Sequence, residues 1–76
     1  MYRRIRDLRE DMDLRQGDVA RHLNCSQACY SYYESGHRDI PTDVLIQLAV
    51  FYNTSTDYLL GLTDIKSPYP RNSGKA

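Results

Sequence analysis

Apolar residues in this chain recur at spacings of three and four, in short runs interrupted by polar turn-forming residues, a pattern that leaves helices as its regular structure. Ile5, Leu8 and Met12 form the first stripe, which predicts a helix over about residues 2–12 with Arg3, Arg4, Asp7 and Glu10 on the wet side. Val19, Ala20 and Leu23 form a second, shorter stripe, closed by Asn24, a residue that tolerates left-handed backbone. Ser26 is suited to cap a third helix over about residues 27–35, with Tyr30 and Tyr33 facing inward and Tyr32 outward, ended by Gly36. Pro41 suits the first turn of a fourth helix, whose Val44, Leu45, Leu48, Ala49 and Tyr52 make the broadest apolar face in the chain. After the break at Asn53, Thr54 and Ser55, a fifth helix capped by Ser55 carries Asp57 at its positive end and Tyr58, Leu59 and Leu62 as its stripe, ending near Gly61. The expected fold class is all-α, a compact five-helix bundle.

A chain of 76 residues has room for one domain. The periodicity occupies residues 1–64, and the shift to Pro, Ser, Gly, Asn and basic residues predicts a flexible polar tail over 65–76. No apolar run approaches the roughly 18 to 20 residues that a membrane span needs, and no secretory signal is seen, so a soluble, cytoplasmic chain with no membrane partner is expected. Cys25 and Cys29 are too few and too close for a disulfide framework and are read as reduced thiols. Together with His22 and His37 they do not make two paired chelating arms, so neither a metal nor another cofactor is expected. No nucleophile, base and orienting group stand out in so small a bundle, and catalysis is not expected.

The spacing between residues 16 and 34 is that of a short helix, a tight turn and a second helix. Ala20 is small where two helices must approach, Asn24 sits in the turn, and Val19, Leu23 and Tyr30 hold the pair at a fixed angle, so that the second helix can project from the surface. Residues 5–62, about three quarters of the chain, resemble the Cro/C1-type helix-turn-helix family of lambda-repressor-like proteins, also called the xenobiotic-response-element family. The segments IRDLRED, LRQGDVARHL, CSQACYSYYESG, LIQLAVFYN and STDYLLG match the family pattern in register.

The resemblance implies a sequence-specific transcription regulator, expected to be a repressor, that binds double-stranded DNA as a homodimer on a palindromic operator. It implies that Gln27 and Ala28, with Ser31 and Tyr32 one turn later, face the base edges, where glutamine can pair with adenine and alanine can touch a thymine methyl. Gln16 would lie over the DNA backbone, with Arg15 and Ser26 near it and with His37 and Arg38 approaching the strand from the following loop. Arg9 and Glu34 would form an ion pair that positions Arg9 toward a phosphate. Ala20, Asn24, Tyr30, Glu34 and Gly36 take structural roles. Two departures stand out: Arg15 occupies the place of the family's capping threonine, and Tyr30 and Tyr32 make the reading helix unusually aromatic.

Ten basic and ten acidic residues cancel, so DNA binding would depend on how charge is distributed, and Asp18, Asp39 and Asp43 would oppose it. Two other functions fit the same scaffold. One is an antitoxin that represses its own operon and binds a toxin; the other is a protein-interaction module, or a DNA-binding head served by a separate sensor chain. A dimer contact is expected from residues 59–65, which carry apolar residues near the end of the fold.

Overall fold

The computed structural model describes residues 2–70, which form five helices, α1 (Arg3–Asp11), α2 (Gln16–Leu23), α3 (Gln27–Ser35), α4 (Thr42–Phe51) and α5 (Thr56–Leu59), and no strand among the described residues. None is long and apolar enough to cross a membrane. Ile5, Leu8, Val19, Ala20, Leu23, Tyr30, Tyr33, Leu48, Ala49, Tyr52 and Leu59 make one continuous core, against which Val44, Leu45 and Tyr58 pack half-buried. Each helix is too short to be stable alone, so burial of these stripes holds the bundle together.

Four of the five helices end by one device. Asp13, Asn24, Asn53 and Gly61 all take left-handed backbone angles. Each time the next residue's N–H returns to a carbonyl five positions back: Leu14 to Arg9 at 3.0 Å, Cys25 to Ala20 at 3.0 Å, Thr54 to Ala49 at 2.8 Å and Leu62 to Asp57 at 2.9 Å. This is the Schellman closure, which satisfies carbonyls that a helix end would otherwise leave bare. It also corrects two sequence expectations. Met12 is 51% exposed because α1 stops at Asp11, and Leu14, beyond the left-handed Asp13, packs on the core instead. Leu62 is 73% exposed because the reversal at Gly61 carries it off the α5 stripe.

Arg4 corrects a third. Expected on the wet side of α1, it is half-buried, with its guanidinium 4.2 Å from the centre of the Tyr58 ring. It donates to the Tyr58 carbonyl at 3.0 Å, to the Thr63 carbonyl and to Asp64 Oδ1 at 2.7 Å. The four-residue α5 is thereby pinned to α1. Beyond it, Thr54 Oγ1 donates to the Lys66 carbonyl at 2.6 Å and the Tyr69 hydroxyl to Asp57 Oδ2 at 2.5 Å, so this stretch lies back along the start of α5. The rest of the expected tail, 71–76, lies outside the described residues.

Leu48 is fully buried whereas Val50, two residues on, is 54% exposed. Leu48→Ala is expected to cost about 2–5 kcal/mol and Val50→Ala no more than about 0.5 kcal/mol. Urea titrations of the two variants, compared at equal slope, check the difference.

Candidate nucleic-acid interface

Helix α3 is set by its two ends and by one buried polar cluster. At its start Ser26 Oγ accepts the Cys29 N–H at 3.0 Å, the expected cap; at its end Gly36 turns left-handed with φ of 86°. Tyr30 is fully buried, and Tyr33 is buried beside it. The opposite face carries Gln27, Ala28 and Tyr32 exposed and Ser31 half-buried.

The polar cluster joins three helices. Arg9 Nε and Nη2 donate to the two carboxylate oxygens of Glu34, each at 2.9 Å, while Nη1 donates to the Leu14 carbonyl at 2.8 Å. Gln16 Nε2 adds a bond to Glu34 Oε1 at 3.2 Å. The ion-paired side chains are only 13% and 4% exposed for Arg9 and Glu34. The pair is thus a strut between α1 and α3, with Gln16 of α2 as its third leg. The Tyr30 and Tyr52 hydroxyls are buried nearby and feel the Glu34 charge, though neither completes a hydrogen bond of good geometry. Burial pushes the Glu34 carboxyl up, but Arg9, Tyr30 and Gln16 together outweigh it and hold it below the ordinary carboxylate range.

Around this strut lies a shallow groove lined by Arg6, Arg9, Gln16, Ser31, Glu34 and Ser35. Arg6, which the sequence analysis did not single out, stands at its edge; its spacing of three from Arg9 was the available signal. Gln27 is close by, its side-chain oxygen 3.4 Å from where a β-carbon on Gly17 would be, so the start of α3 sits directly over the start of α2. Arg15 precedes α2 and is exposed. The cap that its side chain cannot supply is partly replaced from inside the helix, because Asp18 Oδ2 accepts the Arg15 N–H at 2.9 Å. Asp18 also pairs with Arg21 at 2.7 Å, and its carboxyl is held low chiefly by the Arg15 N–H.

Past α3, the Arg38 N–H donates to the Tyr32 carbonyl at 3.2 Å and its guanidinium lies 5.2 Å from the Tyr32 ring centre. Arg38 makes no ion pair with Asp39 among the described residues. His37 Nδ1 is 2.8 Å from Ser35 Oγ, and its ring is 6.0 Å from that of Tyr32. His22, by contrast, packs on Phe51 of α4 with ring centres 4.4 Å apart. The two histidines therefore have partners of their own, and the described residues hold no group of three or more metal-ligating side chains.

A family model described as a helix-turn-helix domain matches residues 3–60, the whole of the bundle just described. The chain belongs to the helix-turn-helix domain family. The domain is 38% identical over 63 residues to the HTH-type transcriptional regulator ImmR of Bacillus subtilis (strain 168), a match covering 83% of this chain and 50% of that protein. It is also 38% identical over 69 residues to the uncharacterized HTH-type transcriptional regulator YobD of the same organism, covering 90% of this chain and 62% of that one. The chain thus spans about half to three fifths of the length of the curated relatives it matches. No solved structure matches it.

The strut gives the helix-turn-helix domain a specific acid response. Because the folded-state pKa of Glu34 is lowered, the stability it contributes is complete above its ordinary value of 4.5 and is lost as pH falls through the lowered one. Glu34→Gln is expected to flatten this acid limb, checked by urea unfolding from pH 7 to pH 3. Arg9→Ala leaves a buried carboxylate without its cation and is expected to cost about 3–5 kcal/mol at pH 7.

Proposed function

We propose that this chain is a DNA-binding transcription regulator that reads double-stranded DNA with the outward face of α3. One observation carries the reading: Gln27, Ala28, Ser31 and Tyr32 lie along one face of a helix whose angle is locked from behind by the Arg9–Glu34–Gln16 cluster. A helix held from its inner face can place the side chains of its outer face against base edges in the major groove. Gln27 and Ala28 suit an A·T-containing half-site.

Backbone contacts fall to the cations around that face. Arg6 and Arg15 flank the α2 side and Arg38 the far end, and none of them belongs to an ion pair among the described residues. Ser26 and His37 offer polar contacts at either end of α3. Gln16 is committed in part to Glu34 and would orient the α2 amides beside a phosphate. Arg9 supports this arrangement from inside and, being largely buried, keeps only part of its fork for a phosphate. The two relatives named as transcriptional regulators support the same reading.

The finer proposal is a repressor that occludes a promoter as a homodimer on a palindromic operator. Leu62 and Ile65, 73% and 68% exposed, are the candidate dimer contact; Leu59, expected to share it, is core. Two copies would set their α3 helices in successive major grooves about 34 Å apart.

Selection from a random duplex pool, followed by titration of the winner and a scrambled control at about 150 mM salt, tests the proposal. A palindromic winner held at least about a thousandfold tighter than the control supports it, and absence of enrichment would redirect the scaffold to binding protein. Gln27→Ala is expected to lower operator affinity by about 1–3 kcal/mol with little change on the control duplex, while Arg38→Ala weakens both and reduces the salt slope by about one. Equal losses on both duplexes for Gln27→Ala would remove it from base reading.

A further inference from the structure

The loop that follows α3 folds back on the helix at Tyr32. The Tyr32 carbonyl accepts the Arg38 N–H at 3.2 Å and the Ser35 hydroxyl at 3.3 Å. The Arg38 side chain then returns along α3. Its guanidinium carbon lies over the Tyr32 ring, 5.2 Å from the centre, and Nη1 comes to 3.9 Å from Sγ of Cys29 in the first turn of the helix. Tyr32 therefore holds Arg38 at both ends, by its carbonyl at the backbone and by its ring at the charge. His37, the residue between Gly36 and Arg38, takes a partner of its own, with Nδ1 2.8 Å from Ser35 Oγ.

An arginine in an exposed loop ordinarily samples many rotamers, and fixing it on a ligand costs part of what the contact yields. Arg38 is exposed, and no carboxylate forms an ion pair with it among the described residues, so the charge held on the ring is not spent within the fold. Attraction between a guanidinium and an aromatic ring acts through the face of the ring. A guanidinium stacked in this way keeps its in-plane N–H donors directed outward, and these are the groups that grip a phosphate with two parallel bonds. The ring thus limits where the cation can go without consuming what it binds with.

We propose that Tyr32 is a positioning residue for Arg38: its ring presets the guanidinium beside α3 for one phosphate of the DNA strand, and its share of operator binding is exerted through that cation rather than through a base edge. The inference rests on the DNA-reading proposal of the preceding section and refines it, leaving Gln27, Ala28 and Ser31 as the base readers. A phosphate carries no sequence information, so a residue that acts through a phosphate contact supports binding to every duplex alike. The bond from the Arg38 N–H to the Tyr32 carbonyl does not involve the Tyr32 side chain, so a substitution at this position removes the ring and keeps the loop tied to the helix. Tyr32 is 44% exposed, and the core does not depend on it.

Tyr32→Leu and Tyr32→Phe, each alone and combined with Arg38→Ala, are titrated with the selected operator and with the scrambled duplex. Tyr32→Leu is expected to weaken binding about threefold on both duplexes, the size of an exposed cation–π contact, and Tyr32→Phe to recover most of that loss. Once Arg38 is replaced by alanine, Tyr32→Leu is expected to add nothing. No loss with leucine, a loss on the operator alone, additive losses in the double variant, or equal losses for phenylalanine and leucine would overturn the role. Proton NMR of the DNA-free chain is the second arm. The Arg38 side-chain resonances are expected upfield of their ordinary position, through the ring current of Tyr32, and back at it in Tyr32→Leu. Ordinary resonances in the unsubstituted chain would overturn the placement whether or not DNA binds. Shifted resonances in a chain that enriches no duplex would count against α3 as the reading helix, and the phosphate contact would fall with it while the contact between Tyr32 and Arg38 stood.

Discussion

The fold depends on a salt bridge that is nearly closed to water. Arg9 and Glu34 meet where the end of α1, the start of α2 and the last turn of α3 converge, and their bonds run to all three, through Leu14 and Gln16 as well as to each other. Removing two charges from water is expensive, and an apolar pair of equal volume could hold the bundle as firmly. What an apolar pair lacks is direction. A two-pronged guanidinium–carboxylate contact tolerates little sliding, so it fixes the angle at which α3 leaves the core.

The same economy governs the chain reversals. Short helices joined by turns of a few residues leave many carbonyls bare, and a bundle this small has little apolar surface with which to offset them. Ending four helices through a left-handed residue satisfies those carbonyls locally and sends the chain back along the core. It also decides which apolar residues beyond a helix become core: Leu14 after Asp13 does, and Leu62 after Gly61 does not.

Charge is sorted in a way that the neutral total conceals. Arg4 with Asp64, Arg9 with Glu34 and Arg21 with Asp18 satisfy each other, while Arg6, Arg15 and Arg38 stand outside these pairs on the side of α2 and α3. Two acidic residues that would oppose a polyanion at that face are thereby partly or wholly compensated, Glu34 by Arg9 and Asp18 by Arg21 and the Arg15 N–H. Since exposed charges act over about a Debye length, this arrangement counts for more than the sum over the chain.

The sequence by itself determined the number and order of the helices, the cap at Ser26, the left-handed ends at Asn24 and Gly36 and the inward tyrosines of α3, because each depends on residues within a turn or two of one another. The family pattern further paired Arg9 with Glu34. Tertiary structure alone decided the remainder: the Arg4 clamp on α5, the place of Arg6 beside the groove, and the meeting of Arg38 with Cys29 and Tyr32. Arg4 and the residues it holds lie more than fifty positions apart in the chain. Periodicity can say only that a long cationic side chain leaves the apolar stripe; whether it ends in water or on a distant carbonyl depends on what the folded chain brings within its reach.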